Sequence, residues 1–313
     1  MKVLIAYDGS ASADTGIEGL QRAGLPTDAH ALVVSIAEVW LPPPSGADGP
    51  ADTFPVLPGL KRAREHAAHI LKDAHAVAER GNKLVQKHCP GWKVNYEVGN
   101  GSPAFEILNR ADEWKPDLIV VGSQGRTALG RFVLGSVSQK VLTEASTSVR
   151  IARRITGSGS SGERIVVGID GSEGSQAAIR AVGRRRWTPG SEVRLVVAQD
   201  LIKASPASML IPSVRNFVYE VNEDERVQEK KIVEAAAKDL RDDLDESVTV
   251  SAMIENGDPK QVLVRHAEEF GADCIFTGAT GFSNRIERFV LGSVSAAVAA
   301  RAHCSVEVVR HNA

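Results

Sequence analysis

The eight residues Arg131-Phe132-Val133-Leu134-Gly135-Ser136-Val137-Ser138 return unchanged as Arg288-Phe289-Val290-Leu291-Gly292-Ser293-Val294-Ser295. A repeat of that length constrains the architecture before any single residue does, because each copy must fill the same slot in a duplicated unit. Further matches keep the same order in both halves. Val3-Leu4-Ile5-Ala6-Tyr7-Asp8-Gly9-Ser10 parallels Ile165-Val166-Val167-Gly168-Ile169-Asp170-Gly171-Ser172. Gly101-Ser102-Pro103 parallels Gly257-Asp258-Pro259, and the apolar run 117–122 parallels 273–278. Between the copies lies Thr156-Gly157-Ser158-Gly159-Ser160-Ser161-Gly162, whose glycines and serines cannot build a core. Residues 157–162 therefore read as a flexible linker, and residues 1–156 and 163–313 as two copies of one domain.

Within each half, strand and helix patterns alternate. In the first half the pattern predicts strands near 2–8, 30–37, 93–98, 117–122 and 148–152, with helices near 11–23, 60–88, 103–113 and 136–144. Strands separated by helices give right-handed crossovers and a parallel sheet. Leu118-Ile119-Val120-Val121 is apolar on both faces, as a strand covered on both sides requires. Ser102 and Asp258 stand as N-caps before Pro103 and Pro259 at the first helical positions. The expected class is α/β: two tandem domains, each an open five-stranded parallel sheet with helices on both faces. Such sheets bind ligands outside the carboxyl ends of the strands, where the winding reverses. In a flavodoxin-like order the reversal involves the first strand. Attention therefore falls on the loop after the first strand (Asp8; Asp170) and the loop after the fourth.

The loop after the fourth strand is Gly122-Ser123-Gln124-Gly125, nine residues, then Gly135-Ser136 and a helix. The second copy is Gly278-Ala279-Thr280-Gly281, ten residues, then Gly292-Ser293 and a helix. Glycine at a strand end lets backbone amides approach a ligand closely. The helix start adds unpaired N–H groups and a positive dipole end, and the serine adds a hydroxyl; together these can cradle phosphate without a lysine. The plainer alternative is that the glycines shape turns and the serines begin helices. Asp8 and Asp170 have a similar alternative, since Asp-Gly after a strand is a common turn.

This spacing, Gly-x2-Gly-x9-Gly-Ser after an apolar strand with Asp after the first strand, resembles the universal stress protein family in its tandem form, over essentially the whole chain. The resemblance implies a flavodoxin-like (adenine nucleotide α-hydrolase-like) fold and, for members with the glycine loop, binding of ATP, with Mg2+ accompanying it. Carried over, Gly122, Gly125, Gly135 and Ser136 hold ribose and phosphates, Asp8 sits beside the nucleotide, and Ile36 meets adenine through its backbone. The second-half equivalents are Gly278, Gly281, Gly292, Ser293, Asp170 and Ala198. The extra residue before Gly292 departs from the pattern and is expected to bulge at Asn284-Arg285-Ile286. In the family, last strands pair across a two-fold axis. Here Val149-Arg150-Ile151 and Val306-Glu307-Val308 occupy equivalent positions, so an intramolecular pairing would set Arg150 opposite Glu307. As an exposed cross-strand pair that is worth roughly 0.2–1 kcal/mol. Association of two tandem chains is compatible with this arrangement.

Other signals argue against competing functions. The formal charge of −2 gives no electrostatic footprint for nucleic acid. No apolar run reaches membrane-spanning length, and the N-terminus runs straight into Asp8, unlike a signal peptide. Cys89, Cys274 and Cys304 are scattered, which fits a reducing cytoplasm. Gly99-Asn100-Gly101-Ser102-Pro103-Ala104 fits a dinucleotide fingerprint, but it follows the third strand and Glu255 replaces Gly99 in the other copy. A turn and N-cap explain it better. No Walker sequence occurs. His66, His69 and His75 lie on a charged helical run and read as a solvated face, as do the acidic runs 223–225 and 242–246, expected near the ends of the second long helix. The proline-rich stretches 38–59 and 200–214 read as long loops, either lids or plain connections.

Phosphoryl transfer needs positioned charge and a group that orients the nucleophile. The loops offer no histidine or glutamate base by motif. Arg126, directly after Gly125, is the foremost phosphate-neutralising candidate, with Arg131 and Arg288 behind it. The expectation is a nucleotide-responsive stress regulator or interaction module with slow or no hydrolysis; the alternative is an ATP-consuming enzyme of the same fold.

Overall fold

The computed structural model of the chain describes residues 1–39, 58–125, 134–153, 162–199, 204–281 and 291–311. The first half contains β1 (Lys2–Ala6), α1 (Ala11–Glu18), β2 (His30–Ala37), α2 (Pro58–His88), β3 (Lys93–Asn100), α3 (Pro103–Trp114), β4 (Leu118–Gly122), α4 (Ser136–Glu144) and β5 (Ser148–Ala152). The second contains β6 (Arg164–Gly168), α5 (Glu173–Gly183), β7 (Glu192–Gln199), α6 (Pro212–Asp243), β8 (Thr249–Asn256), α7 (Pro259–Phe270), β9 (Cys274–Gly278), α8 (Ser293–Arg301) and β10 (Ser305–Val309). The helix expected over 11–23 ends at Glu18 and continues as a 3-10 turn over Gly19–Arg22.

All these strands form one ten-stranded sheet in the order β3-β2-β1-β4-β5-β10-β9-β6-β7-β8. Each half is parallel within itself, and the winding reverses between β1 and β4, and between β6 and β9. Strands β1 and β4 are buried on both faces, Val3 and Ile5 toward α1, Leu4 and Ile119 toward α3 and α4. That burial explains their unbroken apolar sequence.

The halves meet where β5 and β10 run antiparallel, with Arg150 directly opposite Glu307. The expected energy of that pair needs correction. Both side chains are 2% exposed, so the value for an exposed pair does not apply. Arg150 Nη1 lies 3.3 Å from one Glu307 oxygen and donates to Cys274 Sγ at 3.2 Å; Arg185 binds the other carboxylate oxygen. Removing charge from water is costly, and only this multiple pairing offsets it. Arg185 also donates to the Ala23 carbonyl at 2.6 Å, tying the second half to the turn after α1.

A second reciprocal link closes the seam. Arg153, just after β5, donates to the Ala299 carbonyl in the last turn of α8 at 2.5 Å. Its repeat equivalent Arg310, just after β10, donates to the Leu142 and Thr143 carbonyls of α4 at 2.9 and 3.2 Å. Each guanidinium thus meets the negative end of the other half's helix.

One local expectation changes. Glu223, Asp224 and Glu225 lie well inside α6, because Pro212 starts that helix within the stretch read as a loop. A proline at the first turn loses no hydrogen bond, so it begins a helix as readily as it marks a loop. His66, His69 and His75 are exposed on α2. Residues 40–57, 200–203, 154–161 and 282–290 lie outside the described residues, and with them most of the proline-rich stretch, most of the linker and the Asn284-Arg285-Ile286 segment.

Candidate nucleotide site

Local sequence brings the loops after the first and fourth strands of each half together at the winding reversal. In the first half, the Asp8 carboxylate accepts from the Ser10 amide at 2.9 Å, and Ser10 itself caps α1 by accepting from Ala13 N at 3.2 Å. The cap is therefore Ser10, and the second Asp8 oxygen faces Gly125: a Cβ on Gly125 would lie 3.3 Å from it. Asp170 repeats this with Ser172 N at 2.9 Å and Ser172 Oγ at 2.5 Å, and a Cβ on Gly281 would lie 2.8 Å from its other oxygen. In each half one carboxylate oxygen closes the turn and the other lies beside the second glycine of the loop after the fourth strand, Gly125 or Gly281.

The glycines after β4 and β9 have different neighbours. Gly122 packs on Ser12, whose hydroxyl sits 3.3 Å from Ser123 Oγ and accepts from Gln124 N at 3.3 Å. The second half has Gly174 where the first has Ser12. There the main chain itself closes in: a Cβ on Gly174 would lie 2.1 Å from the Thr280 carbonyl oxygen, and one on Gly278 2.3 Å from the Gly174 carbonyl carbon. One loop is held by a hydroxyl, the other by direct backbone packing.

Gly135 and Gly292 are the N-cap residues of α4 and α8. Their own N–H groups are not available to a ligand, since they donate to Ser123 O at 2.9 Å and Ala279 O at 2.7 Å. The first-turn amides that follow have no side-chain cap in either helix. Uncapped first-turn amides and the positive dipole end are the components of an anion site. Ser136 and Ser293 are exposed there. The last serine of the repeated octapeptide has a separate role: Ser138 Oγ donates to Gly122 O at 2.6 Å and Ser295 Oγ to Gly278 O at 2.5 Å. It fastens the helix start to the strand end, a role that sequence reasoning missed although the serine recurs in both copies.

In the second half these parts enclose a cavity of about 320 Å³. Its wall includes Asp170, Ala198, Gly278, Gly281, Gly292 and Ser293, all six residues singled out for that half by sequence. It also includes Val196, Pro259, Leu263 and Thr277, which were not foreseen. The wall combines apolar side chains of β7 and α7 with the glycine backbone, Asp170, Ser172 and the start of α8. That combination suits a flat apolar group joined to an anion.

The first half brings Asp8, Gly122, Gly125 and the start of α4 together in the same way. Ile36 stands at the end of β2, beside Gly99 of β3 in register; its Cδ1 lies 2.7 Å from where a Gly99 Cβ would be. The second half reverses the sizes, with small Ala198 beside Glu255, whose carboxylate is drawn to Arg265 and His266 on α7. Burial holds the His266 imidazole below its usual pKa. Arg126, Arg131 and Arg288 lie outside the described residues.

Comparison with known proteins follows the same division into halves. The model of the universal stress protein family matches residues 1–153 and again 162–310. A universal stress protein of Methanocaldococcus jannaschii, MJ0531, is 31% identical over 156 residues, covering 49% of this chain and 82% of that protein. YxiE of Bacillus subtilis, also a universal stress protein, is 32% identical over 157 residues, covering 49% of this chain and 98% of its own length. Among solved structures, a universal stress protein from Archaeoglobus fulgidus aligns over 99% of this chain and 98% of its own, with a TM-score of 0.62 at 20% identity, which establishes likeness of fold. With the family's model matched twice in succession over nearly its whole length, the chain belongs to the universal stress protein family.

Proposed function

We propose that each half binds an adenine nucleotide, ATP, at the crevice between its first and fourth strands, and that the protein acts as a nucleotide-dependent regulator or interaction module in the stress response. In this reading residues 1–156 and 163–313 are two nucleotide-binding domains joined through residues 157–162. The observation that carries the proposal is the second-half cavity, whose wall gathers the six residues chosen for nucleotide contact. The apolar residues of its wall, Val196, Ala198 and Leu263, accept the base. The uncapped start of α8, with Ser293, faces the phosphates. Among the described residues there is no group of three or more His, Cys, Asp or Glu side chains able to hold a metal ion. Mg2+ would therefore be held chiefly by the phosphates, as is usual for that ion.

Slow or no hydrolysis is part of the proposal: the described cavity wall offers one carboxylate, Asp170, already engaged by Ser172, and no histidine, glutamate or lysine. Isothermal titration of nucleotide-free protein with ATP, followed by a steady-state ATPase assay, tests it. Saturable binding with turnover far below about 1 s⁻¹ supports a regulator, whereas turnover in the common enzymatic range makes it an ATP-consuming enzyme.

A further inference from the structure

Thr277 is the penultimate residue of β9, 4% exposed, and its side-chain oxygen has no hydrogen-bond partner among the described residues. A buried hydroxyl without a partner is costly. The neighbouring buried serines show how the fold satisfies such groups: Ser295 Oγ reaches Gly278 O, and Ser175 Oγ reaches Ser172 O at 2.9 Å. Thr277 stands apart from them, and it lines the cavity.

The duplication supplies an internal control. The repeat places Val121 of β4 where β9 has Thr277, and Val121 is 2% exposed in the same slot. Valine and threonine have nearly the same shape, so packing at this point of the fold does not require a hydroxyl. Only the second half has one at this position, beside Val196, Ala198 and Leu263 in the cavity wall. The same cavity differs from the first site at the end of the second strand, where Ala198 stands in place of Ile36.

We infer that Thr277 is a specificity-determining residue of the second site, whose hydroxyl gains its hydrogen-bond partner from the bound nucleotide and makes the two sites of the chain chemically unequal. The inference rests on the nucleotide reading given above. A site that hydrogen-bonds one polar atom of a ligand discriminates against an analogue lacking it, because the protein's own group is then left unpaired. The first half has Val121 and Ile36 at the matching positions, and neither side chain can form a hydrogen bond.

The experiment uses the full chain carrying Gly125→Val, which fills the space beside Asp8 and leaves the second site alone to titrate. ATP is titrated into this protein with and without Thr277→Val, and thermal unfolding of both is followed without nucleotide. The expected result is a roughly tenfold weaker Kd for T277V, about 1.4 kcal/mol. Its nucleotide-free melting temperature is expected to equal or exceed that of the parent, because an unpaired buried hydroxyl has been removed. Equal affinity in the two proteins overturns the inference while leaving nucleotide binding intact. A melting temperature several degrees lower overturns it as well, since the hydroxyl then supports the fold. Absence of ATP binding to the parent overturns the nucleotide reading of this site and this inference with it.

Discussion

At the scale of single residues, the site depends on how closely backbone can approach backbone. Gly174 is the sharpest case, because any Cβ there meets the Thr280 carbonyl oxygen at 2.1 Å. We expect Gly174→Ala to destabilise the protein by about 1–3 kcal/mol, read as a lower urea midpoint, and to weaken ATP binding to the second site by displacing its glycine loop. The same substitution could not be foreseen as harmful from sequence, since the first copy holds Ser12 at that position and uses its hydroxyl instead. The cysteines make a second residue-level prediction. Burial pushes Cys89 and Cys274 up to about 11 and Cys304 up to about 12, from an ordinary 9.0. All three thiols should resist a disulfide reagent at pH 8 in the folded protein and react at once in urea; rapid labelling of the native protein would contradict their burial. Unfolded thiols lose protons near pH 9 while the folded ones keep theirs, so this contribution to stability is intact below pH 9 and falls as the pH rises toward 11 and 12.

At the scale of elements, much of the molecule was legible because periodicity and capping act locally. The expected spans 30–37, 136–144 and 148–152 coincide with β2, α4 and β5. Local signals were weaker where one residue type serves two purposes. Pro212 begins α6 inside a proline-rich stretch that reads equally well as a loop. The catch between Ser138 and Gly122 depends on tertiary contact across 16 residues, which no local pattern encodes. The crossed helix caps are a similar case. Arg153 and Arg310 occupy matching repeat positions, yet only the joined sheet shows that each one meets the other half's helix. Replacing Arg310 with methionine should cost about 1–2 kcal/mol through the lost cap on α4, measured by chemical denaturation. An unchanged midpoint would mean that the guanidinium contributes only packing.

At the scale of the whole molecule, the β5–β10 seam turns two similar halves into one ten-stranded sheet. Self-pairing of either half in this register would put Arg150 against Arg150, or Glu307 against Glu307. The unlike pair therefore favours the heterologous arrangement within one chain, and Arg185 secures it from behind. Glu307→Ala leaves two buried guanidinium groups without their carboxylate, and we expect a loss of about 3–5 kcal/mol. The opposition of Arg150 and Glu307 was legible from the repeat; its burial was not, because that depends on how Arg185 and the elements around it cover the seam. The gathering of six second-half residues around one cavity was legible from the repeated loop spacing and the family resemblance; that they hold a ligand is proposed. Thr277 was not, because it is where the copies differ.

The central claim is that this fold presents two nucleotide sites, one in each half. Native mass spectrometry of gently purified protein, before and after incubation with millimolar ATP, tests it most directly. The account predicts species carrying one and then two adenine nucleotides, with Gly125→Val limiting the maximum to one. A spectrum showing only the bare chain at every ATP concentration would contradict it.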